Sequence, residues 1–129
     1  MSGWNLVGLP LEVVDASYNT VFPSSISGSL YGFNGTYVNE SDLVEGLGYW
    51  LRFSDSGSTT ITGSVISSLT VGLSQGWNLI SGISEVVDVA SISDPDGIIV
   101  PGSLYGFTGT YASSSELTPG KGYWLRTSA

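Results

Sequence analysis

The chain has 129 residues, the size of one ordinary domain, and two halves of about 65 residues would each bury only a marginal share of their surface, so a single domain over residues 1–129 is expected. Eleven acidic side chains against three basic ones give a net charge of −8, which argues against nucleic acid and anionic membrane surfaces as partners. There is no cysteine and no histidine, which excludes disulfides, thiol nucleophiles, the usual zinc sites and any histidine-dependent triad, while 41% hydrophobic residues and only 11% charged ones exclude disorder.

The opening, MSGWNL, has neither a basic nor an apolar leader segment, and no stretch approaches the roughly 18 uninterrupted apolar residues of a membrane span. A cytoplasmic protein or a piece of a longer chain is therefore expected, with no membrane insertion. The first element is GWNLVG, an alternating strand with Trp4 and Leu6 on one face and Asn5 and Val7 on the other. The apolar spacing of EVVD, Glu12 to Asp15, suits a strand or a helical turn, and a short helical turn is expected as it runs into ASY. LYGF and TYV flank Asn34-Gly35, a dipeptide suited to the two left-handed positions of a type I′ turn, so a β-hairpin is predicted. GYWLRF then reads as a strand with Tyr49, Leu51 and Phe53 on one side and Trp50 and Arg52 on the other. From residue 58 to 75, alternation and β-branched residues in TTIT and LTVGL predict two further strands.

After residue 75 the text repeats. GWNL recurs at Gly76 and EVVD at Glu85, each 73 positions on; from Gly102 the offset is 74, so one residue has been added between Asp88 and Gly102. The DPDG stretch there, Asp94 to Gly97, has the composition of a turn. The second hairpin carries Thr108-Gly109 in place of Asn-Gly, which predicts a slightly different turn. SSSELTPGKGYW reads as a polar loop, an inward Leu117 and a Pro119-Gly120 turn into the last strand. The expected fold is all-β: an internally duplicated, pseudo-two-fold β-sandwich or barrel of roughly ten short strands, with repeats 3–53 and 76–127 joined by a central strand pair, 58–75.

The paired phrases GWNLVG/GWNLIS and VEGLGYWLRF/TPGKGYWLRT, with LYGFNGTY and LYGFTGTY between them, resemble a GWNL/GYWL-type β-repeat found in C-terminal and stalk regions of large secreted or cell-surface proteins of bacteria and archaea. The resemblance covers nearly the whole chain, with two departures: Glu45-Gly46-Leu47-Gly48 stands where the repeat tends to read Pro-Gly-Lys-Gly, and no strand pair follows the second copy. It implies an extracellular, prokaryotic cell-surface location and a non-catalytic structural or adhesive module, a fragment of a larger secreted protein. Its partners would be neighbouring modules of that chain or components of the cell surface. The resemblance brings no cofactor and no catalytic residue.

The alternative class is a carbohydrate-binding module that stacks sugar rings on exposed aromatics. Its candidate ligand-binding residues are Tyr31, Tyr37, Tyr105, Tyr111, Trp50, Trp124, Arg52 and Arg126. Against that stands the reading in which Trp4, Trp50, Trp77 and Trp124 form the core about the pseudo-dyad, and it ranks first because tryptophan buries well. Arg52 and Arg126 are expected in structural ion pairs, with bidentate grip on an acidic ligand as the alternative. Asn5 and Asn78 are expected to satisfy backbone groups at a bend. Two carboxylate pairs, Glu12 with Asp15 and Glu85 with Asp88, have the composition of a glycosidase pair but stand in no catalytic motif, so they read as solvated turn residues. Asp94 and Asp96 are a Ca²⁺ candidate without the full ligand spacing, for which a plain turn is favoured. Asn34-Gly35-Thr36 and Asn39-Glu40-Ser41 fit the short glycosylation pattern.

Overall fold

The computed structural model describes residues 2–129. Its strands are β1 (Gly3–Gly8), β2 (Leu11–Glu12), β3 (Tyr31–Phe33), β4 (Tyr37–Asn39), β5 (Gly48–Phe53), β6 (Ser64–Val65), β7 (Gly76–Ser81), β8 (Val87–Asp88), β9 (Tyr105–Phe107), β10 (Tyr111–Ser113), β11 (Glu116–Leu117) and β12 (Gly122–Thr127). Among the described residues helix is confined to α1 (Tyr18–Val21) and a 3-10 turn, Val89–Ser91, which follow the EVVD segments; those segments themselves give Glu12 to β2 and Val87 and Asp88 to β8 in place of the expected helical turn. The protein is thus all-β and duplicated, but with twelve strands in four sheets rather than about ten in one sandwich or barrel, and no sheet of the described residues closes on itself.

Each copy builds the same four-stranded antiparallel sheet. The orders are β1-β5-β3-β4 and β7-β12-β9-β10, so the long GWNL and GYWL strands pair over six residues and the aromatic hairpin adds to the GYWL strand. Pairing fixes which side chains share a face. Trp4 lies opposite Arg52, Leu6 opposite Trp50, and Tyr31 also opposite Trp50; Asn5, Val7, Tyr49 and Leu51 point the other way. That other face carries the core. In the first copy Val7, Tyr49 and Leu51 pack on Leu9, Tyr18, Phe22, Leu30 and Leu43, and in the second Ile80, Tyr123 and Leu125 pack on Leu104 and Leu117. There are accordingly two cores, one per copy, in place of a single core of aromatic residues on the pseudo-dyad.

The segment between the copies departs from expectation. Of the two strands predicted over 58–75, only β6 forms, pairing Val65 with Leu11 and Ser64 with Glu12. The alternating apolar residues instead serve as single plugs: Ile61 rests on the first core, and Val71 and Leu73 rest on the second. Alternation requires only an extended backbone with one buried side, and a segment lying across two cores meets that condition without a partner strand.

The hairpins also differ in detail. Phe33 pairs with Tyr37, which leaves a three-residue loop, and Gly35 is its only left-handed residue, as Gly109 is in the second copy. Among the described residues no non-glycine has positive φ, so the turn is not type I′. This is why threonine replaces asparagine at 108 without changing the hairpin.

The halves meet at the ends of their long strands. Val7 bridges Lys121, and Leu47 bridges Ile80, each antiparallel, with Gly8 N–H donating to Gly120 O at 3.0 Å and Ser81 N–H to Gly46 O at 3.0 Å. The backbones approach so closely that a Cβ on Gly48 would stand 2.6 Å from Ile80 O, and one on Gly122 would stand 2.9 Å from Val7 O. The glycine of GYW is therefore a contact residue of the seam in both copies.

A matched pair of buried phenols braces each core. Val44 N–H donates to Tyr49 Oη at 2.8 Å, and Thr118 N–H to Tyr123 Oη at 3.0 Å. Burial pushes the Tyr49 hydroxyl above the ordinary tyrosine range. The folded state therefore holds its proton longer than the unfolded chain does. The stabilisation is complete below about pH 10 and is lost as pH rises through the folded value. Chemical denaturation of the wild type should show a steeper loss of stability above about pH 10 than Tyr49→Phe, which itself costs about 1 kcal/mol at neutral pH. Parallel slopes for the two proteins would remove Tyr49 as the cause.

Candidate aromatic binding face

The face of each sheet opposite its core is built of rings. In the first copy Trp4, Tyr31 and Trp50 come from three adjacent strands, with Trp4 and Tyr31 centroids 6.1 Å apart; the second copy repeats this with Trp77 and Tyr105, also 6.1 Å apart, beside Trp124. The hairpins then exchange rings across the seam. Phe107 of the second copy meets Trp50 of the first edge-on at 4.9 Å, and Phe33 of the first meets Trp124 of the second, also at 4.9 Å. Tyr111 completes one cluster at 5.3 Å from Phe107 and 6.5 Å from Trp50, while Tyr37 stands 5.5 Å from Phe33. Edge-to-face contacts at these separations are the favoured arrangement of aromatic quadrupoles, so the rings hold one another in place.

These rings remain open to solvent to a degree that core residues do not. Trp4 is 40% exposed, Trp77 44%, and Tyr37 and Tyr111 53% each; Trp50, Trp124, Tyr31 and Tyr105 are half-buried. Trp4, Tyr31, Tyr37, Trp50 and Phe107 together line an open trough of about 520 Å³. The tryptophan quartet is thus not the core. The buried positions are taken by Leu9, Leu30, Leu51, Leu104 and Leu125.

All eight residues singled out from sequence as ligand-binding candidates lie on this face. Tyr31, Tyr37, Trp50 and Arg52 belong to one sheet, and Tyr105, Tyr111, Trp124 and Arg126 to the other. Sequence reasoning weighed all four tryptophans as stacking platforms but ranked them as core, and it left out Phe33 and Phe107, which close the clusters. A usable signal was present: pairing of GWNL with GYWLR sets Trp4 against Arg52 and Trp77 against Arg126, and a face that carries an unpaired guanidinium must be open to water.

The expected ion pairs of the arginines do not form. Arg52 and Arg126 are exposed, and among the described residues no carboxylate or ring partners either guanidinium. The carboxylates are elsewhere, since none of the eight strands of the two large sheets contains Asp or Glu.

The remaining candidates have structural employment. Asp94 accepts Ile98 N–H at 3.1 Å on one oxygen and Ile99 N–H at 3.0 Å on the other, which closes the DPDG turn and occupies both oxygens. Asp96 does not join it in a metal-ligating cluster, and no such cluster occurs among the described residues. Asp15 accepts Ser17 N–H and the Thr20 hydroxyl, each at 3.0 Å, and these bonds, the backbone one foremost, hold its carboxyl below the ordinary range. Asp88 accepts Ala90 N–H at 2.8 Å and so caps the 3-10 turn. Glu12 and Glu85 are exposed on the surface beside them. Asn78 donates to Ser74 O and Gly76 O and accepts Ser74 N–H, and Asn5 donates to Gly3 O, the backbone role expected of both. Of the two glycosylation patterns, Asn34 is exposed at the hairpin tip, whereas the Asn39 amide donates to Gly28 O and Leu30 O.

Fold and face together define a duplicated all-β protein that presents a ring-covered surface across its two copies. Comparison with protein-family models, with curated proteins and with solved structures gives no match.

Proposed function

We propose that the protein is a non-catalytic, extracellular adhesive module that holds polysaccharide on its aromatic face. One observation carries this reading: ten aromatic side chains gather on the outward faces of the two sheets, and four of them are exposed by 40% or more. Exposed apolar patches of this kind are costly to keep in water and mark contact sites. A flat ring bordered by hydroxyls and amides suits the apolar face of a pyranose, and rigid rings lose little conformational entropy when they stack. The resemblance to surface repeats of bacteria and archaea supports an extracellular setting on the cell surface, with neighbouring modules as further partners. No helix of the described residues is long and apolar enough to cross a membrane.

The test is a pull-down of the protein against soluble and insoluble polysaccharides, followed by tryptophan fluorescence. Binding with a shift in emission is expected, because Trp4 and Trp77 lie in the contact and would lose water from their rings. Absence of binding across the panel would end the polysaccharide reading and leave a spacer.

A further inference from the structure

The position of the cations narrows the kind of polysaccharide. The chain has three basic side chains in all, Arg52, Lys121 and Arg126. Arg52 stands on the aromatic face directly opposite Trp4, and Arg126 directly opposite Trp77, 74 positions on and in the equivalent place. Directly opposed residues of an antiparallel pair hold their Cβ atoms about 4.5–5.5 Å apart, so each guanidinium is within reach of whatever lies on the neighbouring indole. Lys121 is at the seam, bridging Val7, and lines the cleft that also contains Phe107 and Thr108.

All eleven carboxylates are outside the eight strands of the two large sheets, and neither guanidinium has a protein partner among the described residues. In a protein of net charge −8, two of the three cations thus stand on the strands that carry the rings, and none of the anions does. Screening weakens distant charges at physiological ionic strength, so the guanidiniums beside the indoles weigh most on a ligand seated there. We infer that the face selects acidic polysaccharide: a uronate residue stacks its ring on Trp4 or Trp77 while its carboxylate is gripped by Arg52 or Arg126. The guanidinium fork matches a planar carboxylate with two parallel N–H···O bonds, which a neutral hydroxymethyl group cannot reproduce. This assignment rests on the polysaccharide reading above and adds the chemistry of the sugar to it.

The experiment compares four polymers by tryptophan fluorescence titration: polygalacturonate, the same polymer after reduction of its carboxyl groups, a neutral β-glucan and dextran sulfate. Polygalacturonate is expected to bind at least about tenfold more tightly than its reduced form, the low end of a charge-assisted pair. The double variant Arg52→Gln, Arg126→Gln should lose that difference, its affinity for polygalacturonate falling to its own affinity for the reduced polymer. Arg52→Lys with Arg126→Lys, which keeps the charge but not the fork, should fall between. Both positions are exposed, and circular dichroism of each variant confirms that the fold is retained. Equal binding of the native and reduced polymers would overturn the uronate assignment and leave the polysaccharide reading intact. Preference for dextran sulfate would overturn it in favour of simple anion attraction. Binding to none of the four would overturn the assignment and the reading on which it rests.

Discussion

Gly8→Ser should be among the most damaging single substitutions in the protein, and adding Ser81→Gly should largely repair it. Gly8 and Ser81 are equivalent residues of the two copies, and they face each other at the seam. A Cβ built on Gly8 would overlap the Ser81 Cβ, so one of the two strand ends must move. Those ends are held by the Gly8 N–H to Gly120 O and Ser81 N–H to Gly46 O bonds, each 3.0 Å, and cannot separate without stretching them. Overpacking of this kind costs about 3 kcal/mol at its upper end, which lowers the melting midpoint of a chain this size by roughly 10 °C. Ser81 itself donates its hydroxyl to Leu47 O at 2.9 Å. In the double variant the hydroxyl introduced at position 8 finds the equivalent acceptor, since Lys121 O lies 3.4 Å from the Cβ position. The double variant should then melt within a few degrees of the wild type, the coupling a double-mutant cycle reports for residues in contact. If it melts no higher than Gly8→Ser alone, the seam is not as described.

The second large effect concerns binding. Trp4→Ala removes the exposed indole of one copy's ring cluster and leaves the equivalent Trp77 untouched. On a short oligosaccharide that contacts one copy's rings, it should remove binding to that copy and leave the affinity of the other copy's rings unchanged. On a long polymer that engages both, the loss should be much greater, because the second contact is made at high effective concentration; roughly a hundredfold is expected. Trp4→Ala with Trp77→Ala should remove binding to both. Because both indoles are about two-fifths exposed, each variant should lose only a few degrees of thermal stability, on the order of 1 kcal/mol. Unchanged polymer affinity in the double variant would move the contact off the face.

What the sequence discloses and what it conceals divide along a physical line. The duplication, the strands at GWNL and GYWLR and the two faces of each are legible, because a period of two is a local property of the chain. Which face is inside is not, since Trp4 and Leu6 on one side and Val7 on the other are all apolar, and alternation between two apolar sets has no sign. The rank of tryptophan as a core residue then misleads; leucines fill the interior, and the indoles remain on the surface beside an arginine. The exchange of Phe33 and Phe107 between copies is concealed for another reason. It depends on how two sheets meet, and nothing within either repeat encodes the partner. The 58–75 segment shows the converse error: its alternation is real, but it reports burial by cores rather than pairing by strands.

The opposition of Gly8 and Ser81 also bears on how such a pair of repeats can change over time. Two separate, identical chains meeting about a true two-fold axis place the same residue on both sides of it. With room for only one side chain there, such a dimer is confined to glycine at this position, and every substitution arrives twice. Joining the copies in one chain lifts that constraint, because one side can enlarge while the other stays small. The serine at 81 and its hydrogen bond to Leu47 O are therefore a feature open to a fused duplication and closed to a symmetric pair.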